Sequence, residues 1–228
     1  MDLRVLPAGD SAWLVELPER IDVAVNTRAI EIARAIELSD FACTDIVVGY
    51  RSVMVYVDPL SESGSSGGRR IEAIAASAPP IPAEAAALVE VPVCYDGPYG
   101  PDLHDIAAFA QCPPEEVIAR HLAVEYRVFV VGFVPGFAYM ATVDPRIAAP
   151  RRPAPRLKVP PGSVAIAAGQ TGIYPAETPG GWSLIGRCPV RPYDPERAEP
   201  FLFRPGDRVR FRRIPPDAYA AASQWGDV

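Results

Sequence analysis

Lysine is almost absent from this chain of 228 residues: Lys158 stands beside 21 arginines. A Walker A loop needs a glycine directly before its lysine, but Leu157 precedes Lys158, so the chain has no phosphate-binding loop of that kind. Lys158 is also the one residue that biotin or a Schiff base could modify, and its apolar neighbours favour an ordinary solvated lysine. We therefore expect no covalently bound cofactor.

Metal-binding and hydrolytic motifs are missing as well. Cys43, Cys94, Cys112 and Cys188 are far apart and form no C-x-x-C pair, which excludes a zinc ribbon and a thioredoxin motif. The chain adds only 2 histidines, so we expect no metal site. The stretch 181–185 lacks the G-x-S-x-G spacing of a nucleophile elbow, which argues against a serine hydrolase.

The sequence also lacks a long apolar run. The longest such stretch, 128–143, is interrupted by Gly132, Pro135 and Gly136 and is shorter than the roughly 20 residues of a membrane helix. The first residues do not have the pattern of a signal peptide. A net charge of −6 disfavours nucleic acid, which requires a concentrated basic face. We expect a cytoplasmic protein that binds neither membranes nor nucleic acid.

Proline, by contrast, is abundant, with 27 residues, and 16 of them lie between Pro135 and Pro216. This density predicts short strands and fixed turns in the second half, as in a small barrel. The run 79–82 cannot continue a helix and indicates a domain boundary. The predicted fold class is α+β: a small α/β domain in residues 1–82, followed by a β-barrel domain in residues 83–228.

Local signals place several elements within this outline. Asp22 is a suitable cap for a helix with apolar residues at helical spacing, and strands are predicted at 45–49 and 53–57. The Gly/Ser run 64–68 predicts a flexible loop before a short helix at 69–78. Prolines at helix starts and alternating apolar residues predict further elements in the second half, namely helices beginning at Pro101 and Pro113-Pro114 and a last strand around Val209.

Three segments of the second half contain more Gly, Pro and aromatic residues than packing requires. A turn at 132–139 presents a wall for a flat carbonyl compound; its candidate binding residues are Phe133, Pro135, Gly136, Phe137 and Tyr139. The segment 169–175 carries neutral donors and acceptors suited to an amide or urea, which are Gln170, Thr171 and Tyr174. The segment 178–187 combines a turn with an aromatic plate, formed by Gly180, Gly181 and Trp182. Turns over an aromatic core are the alternative for each.

Two further sets of residues are candidates for chemistry. His121 shares a helix face with apolar residues, so it is either a core histidine or a general acid or base. Arg151, Arg152 and Arg156 lie among prolines in a stretch, 145–176, that contains no acid. Such a cluster predicts an anion site, and a solvated basic loop is the alternative.

Taken in order, these motifs are similar to those of the family formed by the B subunits of 5-oxoprolinase. The family is also called allophanate hydrolase subunit 1, and it includes the sporulation-kinase inhibitor KipI. The match extends from about Val89 to Arg212. The motifs that carry it are His121…Tyr126, Gly132-Phe133-x-Pro135-Gly136-Phe137-x-Tyr139, Pro150-Arg151-Arg152…Pro155-Arg156, Val159-Pro160-x-Gly162-Ser163-Val164, Gln170-Thr171-Gly172-Ile173-Tyr174-Pro175 and Pro179-Gly180-Gly181-Trp182-x-Leu184-Ile185-Gly186-Arg187.

The resemblance implies that the second domain is a cyclophilin-like β-barrel. It also implies a heteromeric complex with the C subunit of the same system, which together with the A subunit uses ATP to open 5-oxoproline, a small amide, to L-glutamate. On this basis the chain is one component of an amide hydrolase and is expected to be inactive alone. The alternatives are a component of an allophanate or urea-type amide hydrolase or of a biotin-dependent carboxyltransferase, and a KipI-like inhibitor of a histidine kinase.

Within such a barrel we expect the Gln170-Thr171 segment, the turn 136–139 and Trp182 to converge on one pocket near the surface that meets the C subunit. Gln170 would bind a substrate carbonyl or amide. His121 would move a proton if its ring reaches the rim of that pocket.

Overall fold

Two units make up the chain, Met1–Ala86 and Ala87–Val228, in a computed structural model that describes residues 2–20, 22–82 and 86–225. The sequence placed the boundary after Pro82. The first unit is a four-stranded antiparallel sheet in the order β1-β2-β4-β3, with two helices. Its elements are β1 (Arg4–Pro7), β2 (Ala12–Glu16), α1 (Val23–Glu37), β3 (Asp45–Val48), β4 (Ser52–Tyr56) and α2 (Glu62–Ser77).

Local sequence signals account for much of this first unit. The carboxylate of Asp22 accepts hydrogen bonds from the amides of Ala24 and Val25 at 2.9 and 3.2 Å, so the predicted cap of α1 is confirmed. The two predicted strands are present as β3 and β4, which pair in antiparallel register. Alternate residues of the sheet, such as Val15 and Val53, are buried together with the apolar side of α1.

The prediction of a flexible loop at 64–68 is wrong, because α2 runs through this stretch. A Cβ atom on Gly68 would lie 2.7 Å from Cζ3 of Trp13, and one on Gly67 would lie 3.0 Å from Nε1 of the same ring. The glycines therefore let the helix approach the indole closely. Their low helix propensity, a cost of about 1 kcal/mol each, is offset by this tertiary packing.

The second unit contains most of the strands. Its elements are β5 (Leu88–Val93), α3 (Leu103–Ala110), α4 (Pro114–Leu122), β6 (Glu125–Val131), β7 (Ala138–Ala141), β8 (Arg156–Val159), β9 (Ser163–Ala167), β10 (Gln170–Ile173), β11 (Thr178–Gly180), β12 (Ser183–Arg187), β13 (Arg208–Arg213) and α5 (Pro216–Ala222). The prolines begin α4 as predicted, whereas α3 begins at Leu103, two residues after Pro101. The predicted last strand is β13.

Seven of these strands form one curled sheet in the order β12-β9-β10-β7-β6-β13-β5. Its two edges meet where Cys94 and Arg187 exchange backbone hydrogen bonds of 2.9 and 2.8 Å. Apolar residues from alternate strand positions fill the interior, among them Met140, Ile166 and Ile173. The predicted α+β fold class with a cyclophilin-like barrel is confirmed. Strands β8 and β11 form a separate two-stranded ribbon.

Helices in the described part of the chain are short or polar. None of them is both long enough and apolar enough to cross a bilayer.

Candidate functional site

The two faces of the barrel sheet carry different chemistry. On β10, Thr171 and Ile173 are buried on the inner side. Gln170 and Gly172 alternate with them and therefore lie on the outer side. On β7, Met140 belongs to the interior and Tyr139 packs with the outer residues. This alternation separates the candidate residues of the sequence into an inner and an outer group.

Five aromatic residues form an outer aromatic cluster: Phe133, Phe137, Tyr139, Tyr174 and Trp182. Phe137 is at its centre and makes edge contacts with the other four rings, at centroid distances of 5.8, 4.8, 5.1 and 5.5 Å respectively. Phe137, Tyr174 and Trp182 are buried, Tyr139 is half-buried and Phe133 is 62% exposed. The cluster thus has a rigid buried base and an accessible edge, which suits a flat apolar ring.

Glycine and proline shape the turn that carries this cluster. The amide of Phe137 donates to the carbonyl of Val134 at 3.1 Å, and the amide of Gly132 donates to the carbonyl of Phe137 at 3.0 Å. Gly136 has a φ of +86°, and Phe133 adopts a φ of +72°, which is unusual for a bulky residue. Pro135 is exposed at the tip. The turn therefore holds Phe133 outward in a conformation that packing alone does not favour.

Gly172 on β10 has no side chain, and this leaves room for the Phe137 ring at the base of the cluster. A Cβ atom on Gly172 would lie 3.1 Å from Cζ of Phe137 and 2.8 Å from the carbonyl oxygen of Ala138. The Phe137 ring therefore rests directly on the strand backbone. On β11, Gly180 gives similar room to the Tyr174 hydroxyl.

The structure brings Gln170 to the same face of the sheet as Tyr139 and the turn 132–139. Gln170 is half-buried, and its backbone pairs with Ala141 on one side and Ala167 on the other. Thr171, its neighbour, faces the opposite way into the barrel. The outer face thus carries an amide side chain, that of Gln170, on the same side of the sheet as the aromatic cluster.

His121 lies in the barrel interior and does not reach the outer face. Its ring is completely buried and stacks on Phe211 at 4.6 Å. Thr171 Oγ1 donates to the carbonyl of Ala165 at 3.0 Å, so it accepts a hydrogen bond from His121 Nε2, also at 3.0 Å. His121 Nδ1 in turn accepts from the Tyr95 hydroxyl at 2.8 Å.

Both ring nitrogens of His121 are therefore bound to protein groups. Burial lowers the pKa of His121 to about 3, so the imidazole is neutral at physiological pH. The ring faces the barrel interior, on the opposite side of β10 from Gln170. The geometry corresponds to the core histidine that the sequence left open as the alternative to an acid or base.

The three candidate arginines have different partners. Arg156 binds Asp102 through two hydrogen bonds of 2.6 and 2.8 Å, and Arg152 binds the same carboxylate at 3.0 Å. Arg151 is exposed, and its guanidinium carbon lies 6.0 Å from the ring centroid of Trp182. The cluster is therefore not one anion site formed by three free cations: Arg152 and Arg156 already share an acid.

Asp102 is the residue that sequence reasoning missed. It lies before α3, where an acid is usually a helix cap, but its carboxylate makes no capping hydrogen bond. Instead it accepts from the amide of Leu184 at 2.7 Å, in addition to the two arginines, and its side chain is 3% exposed. Nothing in the sequence near Asp102 indicates a partner that lies about fifty residues away.

Other ionisable groups give no sign of a metal centre. Within residues 2–20, 22–82 and 86–225 no three His, Cys, Asp or Glu side chains are close enough together to hold an ion. Lys158 is exposed on β8 and pairs with Glu177 at 3.0 Å.

A known protein family matches most of the chain. The chain belongs to the family described as carboxyltransferase domain, subdomain C and D, whose model matches residues 3–203. The resemblance found in the sequence motifs is therefore confirmed.

Three named relatives are similar to this chain, two of them along more than nine-tenths of its length. The B subunit of 5-oxoprolinase from Bacillus subtilis (strain 168) is 40% identical over 224 residues, which cover 93% of each protein. Its counterpart from Haemophilus influenzae is 34% identical over 92% of this chain and 97% of its own length. The counterpart from Escherichia coli O157:H7 is 50% identical over 54% of this chain and 56% of its own.

Solved structures show the same fold. TTHA0988 is 38% identical and superposes with a TM-score of 0.80 over 89% of this chain; the chain spans 40% of the length of TTHA0988. PH0987 from Pyrococcus horikoshii is 39% identical over 94% of this chain and 99% of its own, with a TM-score of 0.57. The urea carboxylase of Kluyveromyces lactis is only 18% identical, so its TM-score of 0.76 indicates a shared fold alone.

Proposed function

We propose that this chain is the B subunit of an ATP-dependent 5-oxoprolinase, which acts with the A and C subunits to convert 5-oxoproline to L-glutamate. The observation that carries the proposal is the identity of 40% to a 5-oxoprolinase B subunit over 93% of both chains. The lack of a nucleophile–base pair on the described barrel face supports a chain that is inactive alone.

The outer aromatic cluster is the substrate surface in this proposal. A five-membered lactam is flat and largely apolar on its two faces, which matches the half-buried edge of Tyr139 and the exposed ring of Phe133. Gln170, on the same side of the sheet, can donate to the lactam oxygen or accept from its N–H. The site would thus hold and orient the amide, while the other two proteins complete the chemistry.

In this proposal ATP is used by the assembled complex. The chain has no Walker A loop around Lys158. The nucleotide is therefore bound in another mode or by another protein of the complex, and this chain contributes to the amide half of the reaction.

Reconstitution tests the proposal. The chain is purified alone, with the C subunit, and with the A and C subunits together, and each sample receives 5-oxoproline and ATP. Glutamate should form only in the three-part mixture, and omission of ATP should abolish it. Urea replaces 5-oxoproline in a parallel sample, where nucleotide hydrolysis should stay at background. A properly assembled mixture that forms no glutamate would refute this substrate.

A further inference from the structure

Among the arginines of the segment 151–156, one differs from the others in its surroundings. Arg152 and Arg156 are both paired with Asp102 at distances of 2.6 to 3.0 Å, and Arg152 also lies 3.7 Å from Asp105. Arg151 has no carboxylate within ion-pair distance among the residues that the structure describes. It is the cation of this loop whose charge remains available to a ligand.

The loop backbone on the C-terminal side of Arg151 is held by its neighbours. The amide of Arg152 donates to the carbonyl of Gly181 at 2.8 Å, which ties the loop to the residue directly before Trp182. The Arg152 and Arg156 side chains hold the same loop to Asp102, and Asp102 is tied to β12 through the Leu184 amide. Because the loop backbone is anchored next to Arg151, less entropy is lost when the guanidinium beside the indole binds a ligand.

The charge of Arg151 acts on the aromatic edge. Its guanidinium lies 6.0 Å from the Trp182 ring centroid. Burial raises the pKa of Tyr139 and of Tyr174, and the positive charge of Arg151 opposes the rise in both. The positive charge of Arg151 therefore acts on two phenol groups that belong to the outer aromatic cluster.

The aromatic edge and the guanidinium of Arg151 together indicate which kind of ligand would fit this surface. A flat ring on the aromatic edge that also carries a carboxylate would place its negative charge next to a guanidinium, which binds carboxylates through two parallel hydrogen bonds. 5-Oxoproline has both parts, a lactam ring and a carboxylate, whereas 2-pyrrolidinone has the same ring without the carboxylate.

We propose that Arg151 binds the carboxylate of the substrate, and that Arg152, Arg156 and Asp102 are positioning residues that hold it beside Trp182. The identity of the substrate rests on the proposed function; the assignment of Arg151 rests on the contacts above.

The test compares Arg151→Gln with the wild type in the assembled three-part enzyme. The KM for 5-oxoproline should rise about 10- to 100-fold, the range expected for loss of a charged hydrogen bond, while kcat changes less. The inhibition constant of 2-pyrrolidinone should stay within about twofold, since this ligand has no carboxylate for Arg151 to bind. Arg151→Lys should restore part of the loss. Arg146→Gln removes an exposed arginine that pairs with Asp144, and is the matched control.

Each outcome bears on one of the two proposals. Unchanged constants for both ligands, or an equal rise in both, would overturn the role of Arg151 and leave the 5-oxoprolinase activity intact. A wild-type mixture that releases no glutamate would refute the function instead. Calorimetric titration of 5-oxoproline into the assembled complex without ATP then decides the role of Arg151 separately: weaker binding by Arg151→Gln supports it, and equal binding overturns it.

Discussion

Replacement of Asp102 by Asn should destabilise the barrel unit more than any nearby change of charge. The substitution keeps the size of the side chain but removes its charge, and it turns one acceptor oxygen into a donor that faces an arginine or the Leu184 amide. Four hydrogen bonds of 2.6 to 3.0 Å end on this carboxylate.

The size of the expected destabilisation follows from the burial of the Asp102 carboxylate. Breaking a fully buried ion pair costs about 3–5 kcal/mol, because one partner is left uncompensated. The Arg152 and Arg156 side chains keep 32% and 26% of their surface exposed, so water recovers part of that loss. We therefore expect the free energy of unfolding to fall by about 2–4 kcal/mol.

Asp105 provides a matched control three residues away on α3. Its side chain is 73% exposed and lies 3.7 Å from Arg152, so Asp105→Asn should change the free energy of unfolding by less than about 0.5 kcal/mol. Urea denaturation of both variants measures the difference, with the transition of the barrel unit followed separately because the chain has two units. Equal stabilities would mean that the hydrogen bonds to Asp102 contribute no net stability, and would refute this reasoning.

Three other variants test the remaining assignments. The pKa of His121 is about 3 in the folded chain and about 6.5 in the unfolded chain. Between these values only the unfolded state is protonated, so the free energy of unfolding decreases as the pH is lowered. The difference in this free energy between wild type and His121→Gln should therefore fall by about 2 kcal/mol from pH 7 to pH 5. Gln170→Leu should lower turnover of the assembled enzyme about tenfold without changing its urea midpoint, and equal loss of stability would make the amide structural. Gly68→Ala should destabilise the first unit by about 1–3 kcal/mol despite its better helix propensity, whereas Glu72→Ala on the same helix should not.

Elements that depend on nearby residues could be predicted from the sequence. The cap at Asp22 and the proline that begins α4 act within one turn of helix, so their residue types suffice. The barrel followed from short strands separated by prolines and from the family resemblance. In contrast, the helix at 64–68 depends on Trp13, which lies about fifty residues earlier, so composition alone indicated a loop.

The candidate site divides in the same way. The aromatic turn 132–139 is local and was recognised by its residues, and alternation on β10 explains why Gln170 and Thr171 face opposite sides. The partners of the arginines were not recognisable, because Asp102 is 50 and 54 residues from Arg152 and Arg156. A cluster of like charges without a nearby acid predicts an anion site only if no distant acid folds against it.

The buried acid also explains how one arginine is kept free. Two of the three neighbouring arginines are ion-paired with one carboxylate that has 3% exposure, and this arrangement costs desolvation that an apolar contact would avoid. The result is a loop fixed at Asp102 and at Gly181, with Arg151 directly beside these anchors. A guanidinium on a fixed backbone loses less entropy on binding a carboxylate than one on a mobile loop. Asp102→Asn should therefore raise the KM for 5-oxoproline even though Asp102 touches no substrate, and it should leave the inhibition constant of 2-pyrrolidinone nearly unchanged.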